Sequence, residues 1–309
     1  MRAVSDISLL PYNTFGIDAK AKLFIEYESV EELRQVLKEH KGERILHIGQ
    51  GSNLLFTKDF DGVILHSKMA RARFLDDETV EVQNGLRLDD LIAQLTDMNY
   101  CGLEKLSLIP GEVGASAVQN VGAYGCEAKD VILRVHTLDV ETLEERVFTN
   151  EECKFGYRDS AFKHELKGRY IVTSVVYKVK PGDATKTREE IIETRNGKLP
   201  KVGEVGSAGS FFMNPFVPEE QANALLKQYP DMPHFASPQG VKIPAAWLIE
   251  QCGWKGKTLG GAQVWPKQPL VIVNANNASA QEIMELAAQV SASVKEKFNI
   301  DIHPEVNYI

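Results

Sequence analysis

Ser210 lies in the run GSAGSFFMNP at 206–215, between small residues and two large aromatics. Gly206, Ala208 and Gly209 let a backbone pass close to a ligand, and Phe211 and Phe212 can keep water from the hydroxyl. No Gly-x-Ser-x-Gly elbow surrounds this serine, which weakens a reading as hydrolytic nucleophile and leaves proton donation as the alternative. Arg158 stands in GYRDS at 156–160. Its plainer reading is a surface pair with Asp159, worth under about 1 kcal/mol. The other reading is a permanent cation held over a developing anion. Glu305 falls in HPEV at 303–306, where a carboxylate is ordinarily solvated and idle, but Pro304 fixes the backbone just before it.

Two glycine-rich stretches supply the other candidate chemistry. One is GQGSN at 49–53, between the short apolar runs 45–48 and 54–56. It reads as strand, glycine turn, strand, and not as a dinucleotide-binding strand, turn and helix, because Leu54 stands where a third glycine is wanted. Alone it could be a hairpin turn. The other is IPGEVGASAVQNVGAYG at 109–125, with glycines at 111, 114, 122 and 125. Two such loops in one domain suggest a large ligand with a pyrophosphate, held by main-chain N–H groups.

The elements that must position these groups follow from hydrophobic spacing. Ser29-Val-Glu-Glu32 has the form of a capping box, and Val30, Leu33, Val36 and Leu37 fall on one face of a helix ending near His40. Strands are expected over 79–82, 134–139, 144–148 and 170–180, with one helix over 89–99. Past the Lys180-Pro-Gly-Asp183 turn, 187–195 reads as a charged helix stopping at Gly197 and Pro200, followed by a serine loop. Helices over 218–229 and 244–252, a buried strand over 270–273 and a capping box at Ser279-Ala-Gln-Glu282 leading a last helix complete a second domain of about 100 residues.

At 309 residues, 43% hydrophobic and 25% charged, the chain has the composition of a globular protein of about two to three domains. The net charge of −8 and the lack of any Lys/Arg run argue against a nucleic-acid partner. Cys101, Cys126, Cys153 and Cys252 are scattered, and the seven histidines show no ligand spacing, so no metal site is expected. The lack of an apolar run of about 18 residues gives no sign of a membrane span, and a cytosolic, reduced setting fits best. Trp247, Trp254 and Trp265 read as core or interface residues.

Together these segments resemble the UDP-N-acetylenolpyruvoylglucosamine reductase (MurB) family. The likeness runs in order through NTFG at 13–16, GQGSNLLF at 49–56, the 109–125 stretch, GYRDSAFK at 156–163, GSFFMNP at 209–215 and HPEV at 303–306. The resemblance implies an α+β chain with an FAD-binding fold of the vanillyl-alcohol-oxidase/PCMH type, plus a smaller C-terminal α+β substrate-binding domain. Residues 1–198, as subdomains of about 1–68 and 69–198 joined by the tail 299–309, would bind FAD, and 199–298 the substrate. It implies catalysis by Arg158, Ser210 and Glu305. Non-covalent FAD would be held by Gly49, Gln50, Gly51, Ser52, Asn53, Leu54, Pro110, Gly111, Gly114, Ala115, Ser116, Asn120, Gly122 and Ala123. Substrate contacts would come from Arg195, Lys198, Asn214 and Gln268.

The activity implied is NADPH-dependent reduction of UDP-N-acetylglucosamine enolpyruvate to UDP-N-acetylmuramate, a step of peptidoglycan synthesis and so of cell-wall biogenesis, cell shape and division. A cytoplasmic monomer with a nucleotide-sugar substrate is expected. One branch of the family has a tyrosine-bearing lid loop, but 178–198 holds no Tyr here, and Phe235 stands in place of another family tyrosine. Another FAD-dependent oxidoreductase or oxidase of the same fold is the alternative enzyme. A nucleotide-sugar binding protein without flavin is the non-enzymatic one.

Overall fold

The computed structural model describes residues 1–201 and 203–309. By contact the chain forms two units. One comprises Met1–Tyr12, Ala19–Gly51 and Asp59–Gly197, and the other Asn13–Asp18, Ser52–Lys58 and Lys198–Ile309.

The first unit opens on a four-stranded sheet in the order Arg2–Ser8, Lys20–Tyr27, Phe60–Ser67, Ile45–Ile48, antiparallel only in its first pair. Helix Val30–Glu39 crosses over between two of the parallel strands, and Ser29 caps it by accepting a bond from the Glu32 amide at 3.1 Å. Leu33, Val36 and Leu37 then bury against Ile25, Val63 and Leu65, the face that the spacing predicts. The strands Arg2–Ser8, Lys20–Tyr27 and Phe60–Ser67 are additions to the sequence reading. The unit continues in an antiparallel sheet ordered Glu145–Thr149, Ile132–Asp139, Tyr170–Lys178, Thr79–Gln83, Ala72–Asp76. Helices Leu88–Asp97 and Val113–Gln119 pack on it through Leu91, Ile92, Val113 and Ala117.

Here the glycine-rich stretch 109–125 departs from expectation, because its middle is a helix and not a loop. Val113 and Ala117 point into the core, and Asn120, with φ 47°, closes the helix in the left-handed conformation that Asn tolerates. Helix Thr185–Lys198 also outruns its expected stop by passing through Gly197. It has no buried residue and no apolar stripe. Polar anchorage holds it instead: Arg188 bonds Asp89 Oδ1 and Ser107 Oγ, each at 2.7 Å.

The second unit is built on a sheet ordered Gly206–Ser210, Val271–Asn274, Ala262–Val264, Thr258–Leu259. Helix Ala280–Phe298 covers it with Ile283, Leu286, Ala287, Val290 and Val294, and its Ser279/Glu282 capping box forms in both directions. Helices Glu219–Gln228 and Ala245–Gln251 are present, with Pro218 and Pro244 at the caps. The tail pairs Asn307 and Tyr308 in parallel with Leu54 and Leu55.

Candidate active site

In the first unit, two of the expected cofactor segments are tied together. Gln50 Oε1 accepts the Gly111 amide at 2.7 Å, so a side chain of one glycine turn fixes the opening of the other. Gly49 lies on Glu112: a Cβ there would stand 3.1 Å from the Glu112 carboxylate. Gly114 backs onto buried Asn84, 2.9 Å from where its own Cβ would be. Asn84 cannot yield, because it bonds the Val172 carbonyl at 2.7 Å, Tyr27 at 3.0 Å and Ser67 at 2.7 Å.

Glu112 enters a buried charged row that the sequence did not suggest. His66 bonds Glu112 at 3.0 Å and Glu26 at 3.3 Å, and Arg2 and Lys68 flank Glu26. Burial by itself would lower the imidazole, but the Glu112 and Glu26 carboxylates outweigh it, so His66 is raised. Burial likewise raises Glu112, against the pull of His66.

Exposure divides the expected FAD residues of this unit. Gly49, Gln50, Pro110, Gly111, Ala115, Gly122 and Ala123 keep open surface, with Ala115 exposed on a helix that otherwise faces the core. Small residues with open surface fit a flat cofactor approached by backbone. Ser116 and Asn120 are committed to protein. Ser116 Oγ donates to the Val113 carbonyl at 2.7 Å and meets the Tyr177 hydroxyl at 2.8 Å. Asn120 has no exposed surface and bonds Gly156, Glu127 and Lys129.

Arg158 sits in a tight turn closed by reciprocal backbone bonds between Gly156 and Asp159, at 2.9 and 3.1 Å. Its φ of 55° is left-handed, costing a non-glycine residue about 1–2 kcal/mol. Its guanidinium donates to the Gly122 carbonyl and lies 5.3 Å from the Tyr157 ring centroid. The Asp159 carboxylate bonds His164 at 2.8 Å. Arg195, on helix Thr185–Lys198, shares this electrostatic neighbourhood. Burial lowers its pKa, Tyr124 and Asp89 oppose that shift and Arg158 reinforces it. Its buried Nε has no hydrogen-bond partner among the described residues. A buried guanidinium N–H without an acceptor suits an anionic ligand.

In the second unit the structure brings Ser210, Glu305 and Asn53 together. The strand Gly206–Ser210 breaks register with Val271–Asn274 between Ser207 and Ser210, where Gly209 takes φ 69°. Such a bulge re-aims the next side chain, here the half-buried Ser210. Phe211 and Phe212 are fully buried, and so anchor the serine from behind. The Phe211 carbonyl accepts the Glu305 amide at 2.7 Å, and Asn53 Nδ2 donates to the Glu305 carbonyl at 3.2 Å. Ser52 and Leu54 lie on either side of Asn53 with partly open surface. Asn214 Oδ1 accepts the Ala245 amide at 2.9 Å, at the start of a helix. The Lys198 carbonyl accepts from Trp265 Nε1 at 3.0 Å, and the Gln268 carbonyl accepts the Val271 amide at 3.0 Å.

Residues 200–309 match the family model of the UDP-N-acetylenolpyruvoylglucosamine reductase C-terminal domain, and 21–142 match that of an FAD binding domain. FAD is therefore the cofactor. UDP-N-acetylenolpyruvoylglucosamine reductase of Bacteroides fragilis (strain YCH46) is 47% identical over 328 aligned residues, covering 98% of both chains. That of Flavobacterium johnsoniae is 42% identical and covers 100% of both. The crystal structure of UDP-N-acetylenolpyruvylglucosamine reductase (MurB) from Thermus caldophilus shares the fold, with a TM-score of 0.77 at 24% identity over 100% of this chain and 99% of that one. Full-length identity at this level, on a chain whose motifs fold into a glycine turn, a glycine-rich helix and a bulge-borne serine, settles the kinship: the chain belongs to the UDP-N-acetylenolpyruvoylglucosamine reductase family.

Proposed function

We propose that this enzyme reduces UDP-N-acetylglucosamine enolpyruvate to UDP-N-acetylmuramate with NADPH, supplying a peptidoglycan precursor. The observation that carries the reading is the presentation of Ser210 by a bulge next to the backbone of Glu305. FAD, when bound, would supply hydride chemistry, with NADPH as the electron source and the terminal vinyl carbon as the acceptor. The segments 49–54 and 110–123 would hold it through their residues with open surface, and the bond from the Gly111 amide to Gln50 Oε1 ties the two segments together.

Hydride addition breaks the C=C π bond and pushes its electron pair onto the carbon bearing the carboxylate. The resulting enolate carries nearly two negative charges, which a water-poor site tolerates only opposite a cation and acidic protons. Arg158 supplies the permanent cation, and Glu305, when kept protonated or tightly hydrogen-bonded, faces the same oxygens. Ser210 Oγ gives its proton to the α-carbon, and solvent water returns it. Arg195, Lys198, Asn214 and Gln268 bind the sugar nucleotide, and the partnerless Arg195 Nε supports an anionic contact there. On this reading the enzyme works as a cytoplasmic monomer, with 1–198 plus the tail serving FAD and 199–298 serving substrate.

A visible spectrum tests the proposal. Anaerobic addition of NADPH should bleach the flavin bands, and the enolpyruvyl sugar nucleotide should restore them. Bleaching without recovery would assign the enzyme a different oxidant.

A further inference from the structure

Asn120 closes helix Val113–Gln119 in the left-handed conformation, a task that glycine performs equally well. Its carboxamide does something a glycine cannot. Nδ2 donates to the Gly156 carbonyl at 2.6 Å and to Glu127 Oε2 at 3.1 Å, while Oδ1 accepts the Lys129 amide at 2.9 Å. These bonds are shielded from water, since Asn120 has no exposed surface.

Gly156 is the first residue of the turn that carries Arg158, and its carbonyl also accepts the Asp159 amide at 3.1 Å. Arg158 is held at φ 55°, a conformation that persists only where the surroundings over-determine it. Three contacts do so. Asn120 fixes the entry of the turn, Lys163 Nζ holds the Arg158 carbonyl at 2.7 Å, and the guanidinium rests on the Gly122 carbonyl two residues beyond Asn120. Gly122 has no space for a side chain there, since a Cβ would lie 3.0 Å from Arg158 Nη1 and 2.8 Å from the Cys126 carbonyl.

We propose that Asn120 is a positioning residue for Arg158: its buried carboxamide locks the 156–159 turn and thereby the direction of the guanidinium. This rests on the reading of Arg158 as the charge-stabilising group. Releasing the turn lets Arg158 relax to an ordinary backbone conformation, and misplacement of a catalytic group by about 1 Å slows turnover by about 100-fold.

Asn120→Gly keeps the left-handed cap and removes the carboxamide, and Asn120→Asp keeps the shape and the acceptor but loses the donor to Gly156. Both should slow flavin reoxidation by the enolpyruvyl sugar nucleotide about 10- to 100-fold, with far smaller changes in flavin reduction by NADPH and in thermal melting. In an Arg158→Lys background the Asn120→Gly effect should largely vanish, as expected when one residue acts through the other. Near-normal turnover in Arg158→Lys alone refutes the role of Arg158. A slow Arg158→Lys beside a normal Asn120→Gly overturns the positioning of Arg158 by Asn120. Loss of FAD or of cooperative melting in both Asn120 variants also overturns it, by making the residue a structural cap.

Discussion

Ser210→Ala separates chemistry from stability. The strand register Ser210↔Val271 runs through the backbone, which alanine keeps, and the burial behind it comes from Phe211 and Phe212. The variant removes one hydroxyl from a half-buried position, so its effect on folding should stay within about 0.5 kcal/mol. Loss of a general acid typically slows a step by about 10²–10⁴-fold, which at about 1.4 kcal/mol per tenfold is roughly 2.7–5.4 kcal/mol in the barrier. The catalytic effect thus exceeds the folding effect at least fivefold, and slow turnover could not be blamed on unfolding. Anaerobic stopped-flow absorbance of the flavin reads the two halves in turn. Reduction by NADPH should keep its rate, and reoxidation by the enolpyruvyl sugar nucleotide should fall by the full factor. Equal losses in both halves, or an unchanged second half, would refute proton donation by Ser210.

The backbone that aims the serine and the charged row beneath the first glycine turn give two further tests. Gly206→Ala puts a Cβ 2.1 Å from the Phe15 carbonyl and threatens the Ser207 amide bond to Thr14 at 2.9 Å and the Thr14 hydroxyl bond to Ser207 at 2.6 Å. About 1–3 kcal/mol of overpacking and about 1 kcal/mol per bond make a loss of roughly 3–5 kcal/mol, whereas Gly209→Ala meets no atom within 4 Å and carries only the left-handed strain of about 1–2 kcal/mol. Equal shifts in the urea midpoint of the two variants would contradict this. His66, raised in the folded protein, contributes stability that is fully present below its unfolded value near pH 6.5 and is lost as pH rises through the folded one. Wild-type urea midpoints should therefore fall from about pH 6.5 upward more steeply than those of His66→Gln, and parallel profiles would dismiss the imidazole as their source.

Much of the fold is legible where the signal is local. The Ser279 capping box and the Ile283, Leu286, Val290, Val294 spacing give the last helix because caps and apolar stripes act within a few turns. The serine stretch reads as a loop because Gly, Ser and Ala have weak strand preference. It is a strand because Val271 and Val273 pair with it, some 60 residues on in the chain. Strand Arg2–Ser8 hides for a related reason: one flank is an edge and its partner lies beyond an intervening turn, so its residues alternate too weakly to show a buried face. The helix within 109–125 hides behind its glycines, two of which serve tight approaches to Asn84 and Arg158 and do not break the chain.

The candidate reactive groups Ser210, Arg158 and Glu305 stand out as residue types, because each sits in a short run whose neighbours constrain it. What aims those groups was not. Gln50 meets Gly111, His66 meets Glu112 and Asn120 meets Gly156 across separations of 61, 46 and 36 residues, and no spacing rule links such pairs. These contacts fix geometries that the local backbone leaves open. A glycine turn is conformationally permissive and an arginine in a left-handed turn is strained, so neither would hold one geometry on its own account. A polar side chain supplies the missing constraint in each case, and at Asn120 it does so where water cannot compete. Short motifs can therefore announce what a site does, while the precision with which it acts is written in amides and imidazoles that look, in the sequence, like any other.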